Sequence, residues 1–132
     1  MSNNSLQLAT DFNTILLDFA TNIADVCPNS LIGKNISDIK KAINNHENKT
    51  KFVEFFVTKI LVYKDQIDVG DERFFLGKSY EKDFEGNESS MHHIFEFKSI
   101  WGKLSLENRN LVIQYMQILA QLAQDYFMAV YG

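Results

Sequence analysis

The chain has 132 residues, a net charge of −4, 45% apolar and 13% aromatic residues, and one cysteine. That is enough apolar material for one domain, 1–132, with a real core, and too much for a disordered or low-complexity chain. The negative balance, with no Lys/Arg cluster longer than Lys40-Lys41, argues against a nucleic-acid surface.

Taken in order, the chain reads as helices. Leu8, Phe12, Ile15, Phe19, Ile23 and Val26 recur at three- and four-residue steps, which predicts a first helix over 6–26. Pro28 should stop it, because proline pushes the preceding Cys27 out of helical dihedrals. A connector follows over 28–33. Asn35 is a candidate N-cap for a short surface helix over 36–45, with Asp38 in its first turn. Thr50 is the next candidate cap, for a third helix over 51–67. Val53, Phe56, Val57, Ile60, Leu61 and Lys64 define one face of it, and its β-branched content leaves a strand open as an alternative.

Residues 69–90 contain Gly70, Gly77 and Gly86 and read as a long loop between helices three and four. A fourth helix is expected over 91–104, capped by Ser89 or Ser90, with Ile94, Phe97, Trp101 and Leu104 on one face. Ser105 caps the last helix, which follows so closely that the two must meet in a hairpin or a sharp corner. In that last helix Leu111, Tyr115, Ile118, Leu122 and Tyr126 form a stripe, widened by Val112, Met116, Leu119, Ala123 and Phe127. A stripe this wide needs several partners. The expected fold is therefore all-α: a four- to five-helix bundle with a central C-terminal helix and a long acidic-aromatic loop.

Chemistry-bearing motifs are scarce. No phosphate loop, nucleophile elbow, paired catalytic carboxylates or metal-ligand spacing occurs, so neither an enzyme nor a cofactor is expected. The adjacent His92 and His93 diverge by about 100° on a helix and do not readily share a metal. Cys27 reads as a buried, inert thiol. Asp65, Asp68, Asp71 and Glu72 surround Gly70, but not at the alternating spacing of a calcium loop. Asp65 and Asp68 lie near an expected helix C-terminus, where the dipole disfavours anions; they mark either a site or a solvated end balanced by Lys59 and Lys64. There is no basic leader or long apolar run, so neither signal peptide nor membrane span is expected, and an intracellular setting follows.

The functional candidate is the segment 63–88. Between Asp65 and Glu88 eight acids meet three bases, a local balance of −5 that leaves +1 elsewhere. Its acids stand beside aromatics, a composition suited to a protein partner with a basic surface. The candidate contact residues are Tyr63, Asp65, Asp68, Asp71, Glu72, Phe74, Phe75, Tyr80 and Phe84. The competing reading tucks Phe74, Phe75 and Phe84 into the bundle to pin the loop. An alternative function is structural: the apolar faces of the third and last helices exceed what a small bundle covers, which suits a homodimer or a virion-assembly contact.

Three stretches carry a resemblance. They are Leu17-Asp-Phe-Ala-Thr-Asn-Ile-Ala-Asp-Val-Cys-Pro-Asn-Ser30, Tyr63-Lys-Asp-Gln-Ile-Asp-Val-Gly-Asp-Glu-Arg-Phe-Phe75, and the run from Phe97 through Trp101 and Leu104-Ser105 to Leu119. Together they resemble uncharacterised small helical proteins of the nucleocytoplasmic large (giant) DNA viruses. The bias toward lysine, asparagine and isoleucine, residues with AT-rich codons, agrees with such a source. The resemblance implies a setting, the infected host cell or the virion, and transfers no functional residue.

Overall fold

The computed structural model describes residues 2–45, 47, 49–71 and 98–132. The fourth helix's expected start, its Ser89 or Ser90 cap, and Ile94 and Phe97 lie outside them. Every element among the described residues is helical, in agreement with the all-α reading, and the strand alternative for 51–67 is excluded.

Helix α1 runs Ser2–Val26. Thr10, Thr14 and Thr21 do not break it, because each hydroxyl donates to the carbonyl four residues back, at 3.0, 3.0 and 2.8 Å. It ends where Pro28 requires. Its buried row is Ala9, Phe12, Leu16, Phe19, Ala20 and Ile23. Val26, expected on that row, is exposed at the helix end.

The connector is more structured than expected. Ser30 caps a single helical turn, α2 (Leu31–Lys34), by accepting from the Gly33 amide at 3.1 Å while donating to the Cys27 carbonyl at 2.7 Å. Helix α3 (Ile36–Ile43) follows and buries Ile39 and Ile43. Asn35 is not its side-chain cap. The Asn35 amide donates to the Leu31 carbonyl at 2.8 Å, closing the C-terminus of α2 instead.

The expected third helix is one rod wound at three pitches. Helix α4 (Lys51–Phe55) passes into a π-helical turn, Phe56–Ile60, then a 3-10 turn, Leu61–Tyr63, then α5 (Lys64–Asp68). Thr50 precedes it without a side-chain cap bond. The Thr58 hydroxyl donates to the Glu54 carbonyl at 2.8 Å. That satisfies an acceptor of the regular ladder and suits the slip to a wider turn. The π turn underwinds and the 3-10 turn overwinds, so their phase errors oppose each other. Ile67 consequently returns to the core side already occupied by Phe52, Val53, Phe56 and Ile60.

Helix α6 (Lys98–Trp101) ends in a corner closed by bonds from the Lys103 amide to Ile100 O and from the Leu104 amide to Trp101 O. Ser105 caps α7 (Leu106–Tyr131) as its sequence position predicts, its Oγ accepting from the Asn108 amide at 3.1 Å. Trp101 is fully buried, with its carbonyl taking a 3.0 Å bond from Arg109 Nε. The Arg109 guanidinium also sits 5.9 Å from the indole centre.

Helix α7 is central. It packs most extensively on α1, and also on α4, the π turn, the 3-10 turn and α5. Phe12 meets Phe56 edge-on, and Phe19 and Asn22 meet Tyr115. The C-terminal end of α1 thus lies beside the N-terminal half of α7, and the two run antiparallel. The buried row of α7 is Val112, Met116, Leu119, Ala120, Ala123 and Tyr126. Of the expected stripe, Tyr126 is buried, Tyr115 and Leu122 are half-buried and Leu111 and Ile118 exposed; of the residues expected to widen it, Val112, Met116, Leu119 and Ala123 are buried and Phe127 is exposed. Leucine and isoleucine match valine and methionine in hydropathy. Ala120 and Ala123 are fully buried on α7, as Ala9 and Ala20 are on α1, and side chains this small suit closely packed helices.

Candidate protein-binding face

The described part of the acidic segment is built on α5. Its C-terminus closes in a Schellman motif: the Asp71 amide donates to Gln66 O at 2.9 Å and the Gly70 amide to Ile67 O at 3.0 Å. Gly70 has φ +69°, a conformation that glycine adopts without steric cost. A second helix holds the same end. Gln117 Nε2 on α7 donates to the carbonyl of Ile67 at 3.1 Å, as a second donor beside the Gly70 amide, and to that of Asp68 at 3.0 Å.

On this fixed turn Asp65 and Asp68 are exposed. Asp68 is paired, taking a 2.6 Å bond from Lys64 four residues earlier, so part of the adverse end charge is locally neutralised. Asp71 is half-buried. Tyr63 is half-buried and packs against the core. Glu72, Phe74, Phe75, Tyr80 and Phe84 lie outside the described residues, as do His46, His92 and His93. What the spacing argument missed is two valines. Val62 is 71% exposed and Val69 78%, and they flank Asp65 seven residues apart on one helical face. Residue type carried no signal of this exposure, because valine is at home in a core as well as on a surface.

Two other arrangements stand out. Glu54 on α4 receives both tyrosines at the end of α7: Tyr126 Oη donates to Oε2 at 2.6 Å and Tyr131 Oη to Oε1 at 3.1 Å. Burial pushes the Tyr126 hydroxyl well above its ordinary value, and the Glu54 carboxylate adds to the rise. Tyr131 is raised chiefly by its bond to Glu54. A groove of about 320 Å³ lies between α1 and the α3–α4 connection, where Asn13 Nδ2 donates to Lys49 O at 2.8 Å. The Cys27 thiol is half-buried; burial raises its pKa and nearby Lys103 lowers it less, which disfavours a reactive thiolate.

Among the described residues no group of three metal-ligating side chains occurs, and no helix is long and apolar enough to cross a membrane. No protein-family profile, curated protein or solved structure matches this chain.

Proposed function

We propose that this chain is a non-enzymatic protein-binding module whose contact surface is the outer face of α5, continuing in sequence through the acidic-aromatic stretch to Phe84. The observation that carries the reading is the exposure of Val62 and Val69 on either side of Asp65, on a turn fixed by Gln117 and the Gly70 cap. Apolar anchors beside carboxylates on a rigid support suit a partner that sets lysine or arginine next to an apolar side chain. Preorganisation favours such a contact, because the turn is already ordered before the partner arrives. The setting that fits is intracellular, and the giant-virus resemblance would make it an infected cell.

The test is capture from host-cell extract on the immobilised chain, followed by titration of the purified partner. Val62→Asp combined with Asp65→Lys should weaken binding at least tenfold while the helical circular dichroism stays unchanged. Binding should also weaken as salt rises, because the steering is electrostatic. Equal affinity of the double variant and the parent would remove α5 from the contact.

A further inference from the structure

The groove between α1 and the chain from Ile43 to Lys49 has a volume of about 320 Å³ and shares no residue with the α5 surface. That is the size of a small-molecule site, which is ordinarily an apolar floor with a few polar groups converging on it. Here Leu17 and Ile43 supply the apolar surface. The wall on α1 is Thr10, Asn13, Thr14 and Asp18, spaced to share one edge of the helix. Acceptors dominate that wall. The Thr10 hydroxyl donates its proton to Leu6 O at 3.0 Å and the Thr14 hydroxyl to Thr10 O at 3.0 Å, so each oxygen offers only lone pairs. Asn13 is oriented by the 2.8 Å bond from its Nδ2 to Lys49 O, and its buried Oδ1 has no hydrogen-bond partner among the described residues. Asp18 adds an exposed carboxylate. We propose that the groove binds a linear aliphatic polyamine, its ammonium groups along the α1 wall and its methylene chain on Leu17 and Ile43.

The choice of occupant follows from the donors it must bring. An alkylammonium carries donors and no acceptor, which matches a wall of lone pairs. A phosphate or carboxylate ligand brings no donor and meets Asp18 as a like charge. A neutral alcohol or amide brings acceptors of its own and leaves Asp18 without a counter-charge. From Thr10 to Asp18 the wall spans about 12 Å of helix axis, which suits an extended chain rather than one compact cation. The carbon segments of such a chain also cover the apolar surface, which a metal ion does not. The overall charge of −4 favours a cation at a distance as well. On the opposite wall Asn44 and Asn45 present amides that accept as well as donate. Lys49 is the one cation lining the groove among the described residues; it is exposed, and its flexible stem lets the ammonium turn to water.

Titration calorimetry of the intact chain with spermidine at physiological salt should show one saturable site with a dissociation constant below about 1 mM. Asp18→Asn should weaken it about fivefold or more, the order of one exposed charge pair. Asp25→Asn makes the same charge change on α1 outside the groove and should leave the affinity within about twofold. Thr10→Val combined with Thr14→Val keeps charge and shape while removing two acceptors, and should weaken binding about fivefold with the helical circular dichroism unchanged. Lys49→Gln should hold or raise the affinity. Absence of saturable binding overturns the proposal. So does an Asp25→Asn variant weakened as much as Asp18→Asn, because the attraction is then diffuse. A double threonine variant as tight as the parent, or a loss of affinity in Lys49→Gln, would place spermidine elsewhere and overturn it too.

Discussion

One carboxylate, Glu54, holds two phenols from the last turns of α7. A phenol donating to a carboxylate gives up its proton less readily, and Tyr126 is also buried. In the folded chain it therefore keeps its proton above the ordinary value of 10.0 at which the unfolded chain releases it. Over that interval the native state binds more protons, so stability falls as pH rises past about 10. Tyr131 is shifted in the same direction. Chemical denaturation between roughly pH 8 and pH 11.5, which brackets phenol titration, should show that decline. Tyr126→Phe should make it shallower while lowering stability at neutral pH by roughly 1.5–3 kcal/mol, the order of a hydrogen bond to a charged group. The pairing was not legible beforehand. Tyr126 fits the apolar stripe by its ring alone, and Glu54 lies 72 residues away in sequence.

Between elements, the tightest passage is the turn from α1 into α2. A Cβ on Gly33 would lie 2.4 Å from the Pro28 carbonyl oxygen, a backbone atom with no rotamer to escape into. Gly33→Ala should therefore cost roughly 1–3 kcal/mol, as overpacking does. Gly102, in the corner before α7, has nothing within 4 Å of that position, and Gly102→Ala should stay within about 0.5 kcal/mol of the parent. Thermal denaturation of the two variants reads the contrast directly. Element ends governed by local chemistry were legible: Pro28 stops α1 and Ser105 caps α7. Asn35 and Thr50 have the right residue type for capping, yet another acceptor or a different backbone conformation takes their place. The π and 3-10 turns leave no periodic trace, because their opposed phase errors keep Ile67 in register with Phe56 and Ile60.

At the scale of the molecule, apolar spacing identified an all-α architecture with α7 at its centre, and the structure agrees. It did not choose which of two adjacent rows on α7 is buried. Hydropathy ranks those rows almost equally, so apolar spacing alone does not separate them. Leu111 and Ile118, both expected on the buried stripe, are left exposed. Of the acidic segment, sequence placed Asp65 and Asp68 near a helix C-terminus, and both lie on the short α5 with exposed side chains. The clamp from Gln117 was hidden because it joins residues 49 and 50 positions apart.

The corner at Trp101 and the clasp at Glu54 give the long central helix a different optical reporter at each end. The chain has one tryptophan, fully buried at the start of α7, so its emission reports the docking of that corner. In a variant with Tyr63, Tyr80 and Tyr115 changed to phenylalanine, the absorbance of the two remaining tyrosines, Tyr126 and Tyr131, about 30 Å along the helix axis, reports whether the last turns still hold Glu54. If α1 and α7 melt as one cooperative unit, denaturant curves followed by tryptophan emission and by tyrosine absorbance will coincide. A tyrosine transition that precedes the tryptophan one would show the helix unzipping from its C-terminal end, with the Trp101 corner as the last part to let go.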